Sequence, residues 1–370
     1  MNIPFMRLDR QFKMYKDSMI KATERVFEHG RVLQGPEVKT LEHELSSMFC
    51  LKNAATVGSG TDALIYSLKA CGIQPKAKIA VTSLSFVASA SCIVHAGGIP
   101  VFIDVDDNFM TRQDILMDLI QKRSIDGIIA VHLYGQMMDL EEIYREAQKN
   151  GIFVIEDAAQ CLGSTRYGNP PGKYSDATCI SFDPTKVIGA YGSGGAVLTD
   201  NQDINEKIIK SRYHGHLGNR VYEEVGFNSQ LATVQAAIIL LKLKYLDEWQ
   251  NRRTAIANSY FEAFQYIDSI TLPNIMKGNV HNFHKYVLRI KDKRDAMTQY
   301  LRNKGIATSI HYSPPLHQQP CFNKYMSIQA PLTHVESIVP ELLSLPIYPE
   351  LKDEEVTYIC DSLISFFNLS

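Results

Sequence analysis

The sequence predicts an α/β protein with a large domain built on a mostly parallel sheet and a smaller α+β C-terminal domain. Three observations carry this. Short runs rich in β-branched residues alternate with helix-length segments through the first part of the chain, the pattern of a parallel sheet covered by helices on both faces. The chain has 370 residues with 45% hydrophobic content, enough for a large core and more than one ordinary domain needs. Near Leu246 the texture changes, so the boundary is placed there, giving residues 1–245 and 246–370.

Residues 54–57 read as a first strand, followed by a glycine turn and the helical pattern of residues 62–70. Residues 78–82 read as the next strand and residues 86–96 as its helix. The runs 101–105, 127–131 and 153–155 are further strands, each separated from the next by a helix-length segment. Residues 176–182 read as a buried strand, and residues 234–241 as an apolar helix that suits either a core or a subunit interface. In the second part, a long helix over 249–267 precedes Pro273 and a strand over 285–290, then a loop-rich stretch with Pro314, Pro315 and Pro320. There is no internal repeat and no low-complexity tract.

Charge narrows the function. With 38 basic against 40 acidic residues and a net charge of −2, the chain lacks an electrostatic footprint for nucleic acid or an anionic membrane. A small molecule or another protein chain is the expected partner. Charged residues among the first ten stand where a signal peptide would be apolar, and Lys242 and Lys244 interrupt the apolar run after Val234, so a cytoplasmic location without membrane insertion is expected. The seven cysteines (Cys50, Cys71, Cys92, Cys161, Cys179, Cys321 and Cys360) are scattered and show no metal-binding spacing, which predicts reduced thiols and no metal.

Three motifs point to chemistry. Gly58-Ser59-Gly60-Thr61-Asp62-Ala63 fits a dinucleotide-type glycine turn, but the following strand ends in Val81-Thr82-Ser83 without the acid that would hold a ribose. A dinucleotide-dependent oxidoreductase is thereby weakened. A single phosphate at the helix start suits the turn as well, with the Thr61 hydroxyl added, and so does a plain turn without ligand. Asp157 closes the apolar strand in Val154-Ile155-Glu156-Asp157-Ala158-Ala159-Gln160, at the sheet edge where α/β proteins gather ligands; a strand-end Asp taken alone more often caps the next helix. Lys186 follows a buried strand in Ser181-Phe182-Asp183-Pro184-Thr185-Lys186 and precedes the glycine-bearing run Gly189-Ala190-Tyr191-Gly192-Ser193-Gly194-Gly195. Most lysines are simply exposed. This one, taken with Asp157 and the glycine turn, meets the needs of pyridoxal 5'-phosphate: an amine for the aldehyde, a carboxylate for the ring nitrogen, and N–H groups and hydroxyls, Ser181 among them, for the phosphate.

Ordered motifs run along nearly the whole chain, among them Gly35-Pro36-Glu37-Val38, Gly60-Thr61-Asp62-Ala63-Leu64, Val131-His132-Leu133-Tyr134-Gly135, Glu156-Asp157-Ala158-Ala159-Gln160, Pro184-Thr185-Lys186, Asn228-Ser229, His311-Tyr312 and Leu345-Pro346. In these the chain resembles the DegT/StrS family of pyridoxal phosphate-dependent nucleotide-sugar aminotransferases. The resemblance implies the fold type I, aspartate aminotransferase-like architecture. It also implies that Lys186 forms the internal aldimine, Asp157 pairs with the ring nitrogen, and Gln160 meets the ring oxygen. By the same resemblance Thr61, the backbone at Asp62, and Ser181 hold the phosphate, Phe86 stacks on the ring, and Asn228 reaches the phosphate of a neighbouring subunit in a homodimer. His311 and Tyr312 border the sugar nucleotide. The implied reaction passes an amino group from glutamate, through pyridoxamine phosphate, to a thymidine- or uridine-diphosphate-linked keto sugar. Gln230 stands where the family usually has Arg, and Ser193 where Asp is common. Relatives that dehydrate sugars carry histidine in place of the lysine, which Lys186 argues against; a cofactor-binding regulator without turnover remains the alternative.

Overall fold

The computed structural model describes Met1 to Leu369 apart from Asn219 and Gln329. In chain order the elements are α1 (Leu8–His29), α2 (Pro36–Met48), β1 (Asn53–Val57), α3 (Gly60–Ala70), β2 (Lys78–Thr82), α4 (Ala88–His95), β3 (Ile99–Ile103), α5 (Gln113–Gln121), β4 (Gly127–Val131), α6 (Glu141–Lys149) and β5 (Phe153–Asp157). They continue with β6 (Thr165–Arg166), β7 (Ala177–Ser181), β8 (Gly195–Thr199), α7 (Gln202–Arg212), α8 (Thr233–Leu243), α9 (Leu246–Phe264), β9 (Ile270–Thr271), β10 (Asn279–Val280) and β11 (Tyr286–Ile290). The last are α10 (Arg294–Asn303), β12 (Ser327–Ile328), α11 (Thr333–Ile338), β13 (Leu342–Leu345) and α12 (Asp353–Leu369).

The main sheet has the order β1-β8-β7-β5-β4-β2-β3-β12. Among its strands only β8 runs against its neighbours, pairing antiparallel with both β1 and β7. The sequence reading did not place β8 as a strand. Its direction has a local cause: residues 182–194 connect β7 to β8 without a crossover helix, and a parallel pairing would need one. The inner strands are buried along nearly their whole length, β4 completely, because helices cover both faces. Winding goes one way from β2 to β3 and the other way from β2 to β4. That reversal leaves a crevice at the carboxyl edge of the sheet, where α/β proteins place ligands.

Several boundaries differ from the sequence expectation. α4 begins at Ala88 instead of residue 86, because residues 83–87 leave the sheet edge as an irregular turn and present Phe86, 52% exposed, to the crevice. The long helix α9 starts at Leu246 and ends at Phe264. The later strand starts at Tyr286. Lys242, read as an interruption of an apolar run, lies within α8 and is buried at 1% exposure, its amine donating to the Gly189 carbonyl at 2.5 Å and lying over the Tyr191 ring.

One apolar core fills the space between the sheet and its helices, with Leu68, Ile79, Phe102, Ile129 and Ile155 at its centre. A second, built on Tyr260, Phe264, Leu288, Leu301 and Leu363, lies against the antiparallel sheet β13-β11-β9. α9 joins them: Leu246 and Trp249 pack with Leu41 and Phe182, while Ile256, Tyr260 and Phe264 pack in the second core. The N-terminus belongs to that second core through Ile3, whose N–H donates to the Gly305 carbonyl at 2.8 Å. Phe322, Val335 and Ile338 return to the first core, and β12 pairs with β3. No helix among the described residues is long and apolar enough to cross a membrane.

Candidate active site

The crevice is a cleft of about 440 Å³ at the carboxyl edge of the main sheet. It gathers eight of the sequence-derived residues: Thr61, Phe86, Asp157, Gln160, Ser181, Lys186, His311 and Tyr312. These are spread over 252 positions of chain, yet most sit at strand ends, which is why one sheet edge collects them: Asp157 ends β5, Ser181 ends β7, Thr61 opens α3 just after β1, and Phe86 follows β2.

The turn into α3 is built for close approach. Ser59 caps the helix, its Oγ accepting from the Asp62 N–H at 3.1 Å. A Cβ added at Gly60 would stand 2.7 Å from the Ser181 Cβ, and one at Gly195 would stand 2.5 Å from the Ser59 carbonyl carbon. Only hydrogens at both positions let β8, β7 and the helix start meet so tightly. The result is a cup in which the Thr61 and Ser181 hydroxyls lie beside the positive end of an 11-residue helix. Asp62 itself turns away, its carboxylate accepting from the Ser229 hydroxyl at 2.7 Å. Ser229 also contacts the Gly58 N–H, and so ties the turn to the segment carrying Asn228.

Asp157 is buried, and its two oxygens are held from different directions. Oδ1 accepts the Ala159 N–H at 3.2 Å, and Oδ2 accepts the Ser89 hydroxyl at 2.7 Å, with Ser85 behind Ser89 at 2.8 Å. The acid therefore does cap the turn after its strand while also lining the cleft. Ser89 was not foreseen. Its signal was its place three residues after Phe86, one helical turn along the segment that lines the cleft.

Lys186 is displayed by a loop that organises itself around Asp183. The Asp183 carboxylate accepts from the Thr185 N–H at 2.9 Å and from the Thr185 hydroxyl, and its carbonyl accepts from the Lys186 N–H at 2.9 Å. The buried Lys242 amine holds Gly189 on the far side. Among the described residues the Lys186 amine has no hydrogen bond or ion pair, and it faces the cleft. Burial pushes it below the ordinary lysine value, opposed by the negative charges of Asp157 and Asp183. An amine so placed is available as a nucleophile.

Gln160 is clamped: its Oε1 accepts the Tyr134 N–H at 2.8 Å and its Nε2 donates to the Tyr312 hydroxyl at 3.3 Å. The Tyr134 hydroxyl donates in turn to the His311 carbonyl. The Phe86 and Tyr312 rings lie 6.1 Å apart. The His311 ring lies tilted beside that of Phe5, centroids 5.6 Å apart, and shares a 2.8 Å hydrogen bond with Ser344, and burial pushes its imidazole down to about 3, so it is neutral. Burial, with Asp157 next, raises Tyr312. Phe5, His284 and Lys285 also line the cleft and were missed; they arrive through the N-terminal segment and the approach to β11, which nothing local in the sequence connects to Lys186.

Asn228 does not join this cleft. It is exposed, bridges to Tyr213, and its side-chain oxygen lies 3.5 Å from the Gln230 amide nitrogen. Gln230, the departure from the usual Arg, is held by Gln34 at 2.5 Å, and Ser193, the other departure, lines the cleft.

An amine opposite a hydrogen-bonded carboxylate, beside a cup suited to one phosphate, fits pyridoxal phosphate in both donor set and space, and marks an α/β enzyme of that cofactor class. The chain belongs to the DegT/DnrJ/EryC1/StrS aminotransferase family, which matches residues 13–364. It is 35% identical to a protein of Geobacillus stearothermophilus named "Pleiotropic regulatory protein", covering 99% of each chain. It is 32% identical, over 96% of each, to the UDP-N-acetyl-3-dehydro-alpha-D-glucosamine 3-aminotransferase of Acidithiobacillus ferrooxidans. Among solved structures, S. venezuelae DesV in complex with a ketimine intermediate superposes with a TM-score of 0.94 at 30% identity, covering 99% of this chain and 98% of that one. The protein is thus a pyridoxal phosphate-dependent sugar aminotransferase of fold type I.

Proposed function

We propose that this enzyme transfers the amino group of glutamate to a keto-deoxy sugar linked to thymidine or uridine diphosphate, working in the cytoplasm as a homodimer. The observation that carries the reading is the Lys186 amine, unpaired among the described residues, facing the same cleft as the buried Asp157. When bound, pyridoxal phosphate supplies an aldehyde that takes up the amino group and a ring that draws electrons from the reacting carbon. The chain's own residues do the rest. Thr61, the backbone at Asp62, and Ser181 hold the phosphate at the start of α3, with the Asp62 carboxylate anchored by the Ser229 hydroxyl. Asp157, oriented by Ser89 and Ala159, presents its carboxylate to the ring nitrogen. Gln160 meets the ring oxygen, and Phe86 packs on the ring face. Lys186 carries a proton on Nζ from the donor's α-carbon, and its lowered pKa leaves a larger neutral fraction for that task. His311 and Tyr312 border the sugar. Glutamate leaves as 2-oxoglutarate, and the keto sugar leaves as an amino sugar.

We assign cofactor binding to residues 1–245 and the smaller unit to residues 246–370. The homodimer is supported by apolar groups left outside, Phe12, Ile20 and Phe27 on α1 among them, beside Ile238 of α8. In the dimer Asn228, which is exposed and does not line its own cleft, reaches the neighbour's phosphate. Hybrid dimers of Lys186→Ala and Asn228→Ala chains should then be more active than either parent; a fully active monomer in sedimentation refutes the sharing.

The name of the Geobacillus relative favours one second reading, a regulator that binds the cofactor without turnover. An absorbance spectrum separates the two. The purified protein should absorb in the visible, glutamate should bleach the band, and a panel of nucleotide-linked keto sugars should restore it. A band that glutamate leaves unchanged supports the regulator.

A further inference from the structure

Lys285 precedes β11 and is 8% exposed, yet its side chain lines the cleft together with Phe5, His311 and Lys186. Its backbone is fixed by the N–H donating to the Tyr134 carbonyl at 3.1 Å. Its amine forms no hydrogen bond or ion pair among the described residues; the contact it makes is with the Phe5 ring, whose centroid is 5.1 Å from Nζ. The charged and titratable groups around it offer little compensation. Arg253 of α9 and Lys186 repel it, Asp183 alone among the described residues attracts it, and burial keeps the neighbouring His284 and His311 imidazoles neutral. A lysine this buried is ordinarily paired within the protein. This one is left facing the space next to the reactive amine.

We propose that Lys285 is a specificity-determining residue that binds a carboxylate of the substrate, carried either by the amino donor or by an acidic keto sugar. The inference rests on the aminotransferase reading above. A carboxylate suits the site better than a diphosphate: Lys285 brings one ammonium group to the cleft beside the Lys186 amine, which matches a single negative charge. Burial first, then Arg253 and Lys186, lower the free amine to about 7. A bound carboxylate favours the ammonium, so affinity is greatest below that pH and falls as pH rises through it.

The test measures binding of three probes to the holoenzyme by titration calorimetry: glutarate as a donor mimic, UDP-glucuronate as an acidic sugar nucleotide, and UDP-glucose as the same diphosphate without a carboxylate. Lys285→Met should weaken glutarate or UDP-glucuronate by about tenfold or more, the scale of one charge-assisted hydrogen bond. UDP-glucose should be unaffected, and Lys285→Arg should restore most of the loss. Loss confined to glutarate assigns the donor's carboxylate; loss confined to UDP-glucuronate assigns the sugar's. The proposal is overturned if neither carboxylate loses affinity, including the case where neither binds the wild type, or if UDP-glucose loses as much. Glutamate bleaching of the wild-type visible band is scored separately, so failure of the aminotransferase reading is distinguishable from failure of this one.

Discussion

Replacing Gly60 by alanine tests the phosphate cup directly. The added methyl would lie 2.7 Å from the Ser181 Cβ and 3.0 Å from its Oγ, where ordinary contact begins near 3.4 Å, so β7 and the start of α3 must separate by about 0.7 Å. Gly60 is already helical with negative φ, and alanine is the better helix former, so backbone strain does not contribute. The cost is overpacking, about 1–3 kcal/mol. A shift of that size also moves the Ser181 hydroxyl out of the cup, for an expected loss of about ten- to a hundredfold in affinity for pyridoxal phosphate. Thermal denaturation of the apoprotein reads the first term, and spectral titration with pyridoxal phosphate reads the second. The double variant Gly60→Ala/Ser181→Gly removes the clashing Cβ, so its stability should exceed the sum of the two single effects by about 1 kcal/mol or more. Strict additivity, or a Gly60→Ala protein with wild-type stability and affinity, refutes the geometry.

Lys186→Ala should keep the cofactor noncovalently, lose the covalent adduct on borohydride treatment, and lose turnover by several orders of magnitude; near-normal turnover ends the aminotransferase reading. In Asp157→Asn the amide oxygen can still accept from Ala159, so melting should shift little, while the glutamate half-reaction slows by about a hundredfold or more in stopped-flow absorbance. An unchanged half-reaction would leave Asp157 as a turn cap. Lys242→Met deletes the donor to Gly189 and should cost about 1–3 kcal/mol in denaturant unfolding, together with a slower half-reaction as the Lys186 loop loosens. Burial lowers the Lys242 amine to about 8 from the ordinary 10.5. The unfolded chain then holds the extra proton between those values, so wild-type stability relative to Lys242→Met should rise with pH from about 8 to 10.5. A pH-independent difference would contradict the buried placement.

The sequence by itself determined what depends on near neighbours: the alternation of strands and helices, the turn before α3, Asp157 at a strand end, and Lys186 between a buried strand and a glycine-bearing loop. Periodicity and turn chemistry report such features because their physics acts over a few residues. Tertiary structure decided the rest. β8 pairs with β1 across 138 to 146 positions, Val57 with Gly195 at one end and Asn53 with Thr199 at the other, and its reversed direction follows from that pairing and a short connection. Ser89 reaches Asp157 from 68 positions away, Lys242 reaches Gly189 from 53, and Phe5 and Lys285 enter the cleft from the second core. A serine in a helix, or a lysine in an apolar run, carries no local mark of the partner that gives it a role. Such roles exist only once the sheet edge and the second core stand side by side, because hydrogen bonding, burial and charge depend on distance in space.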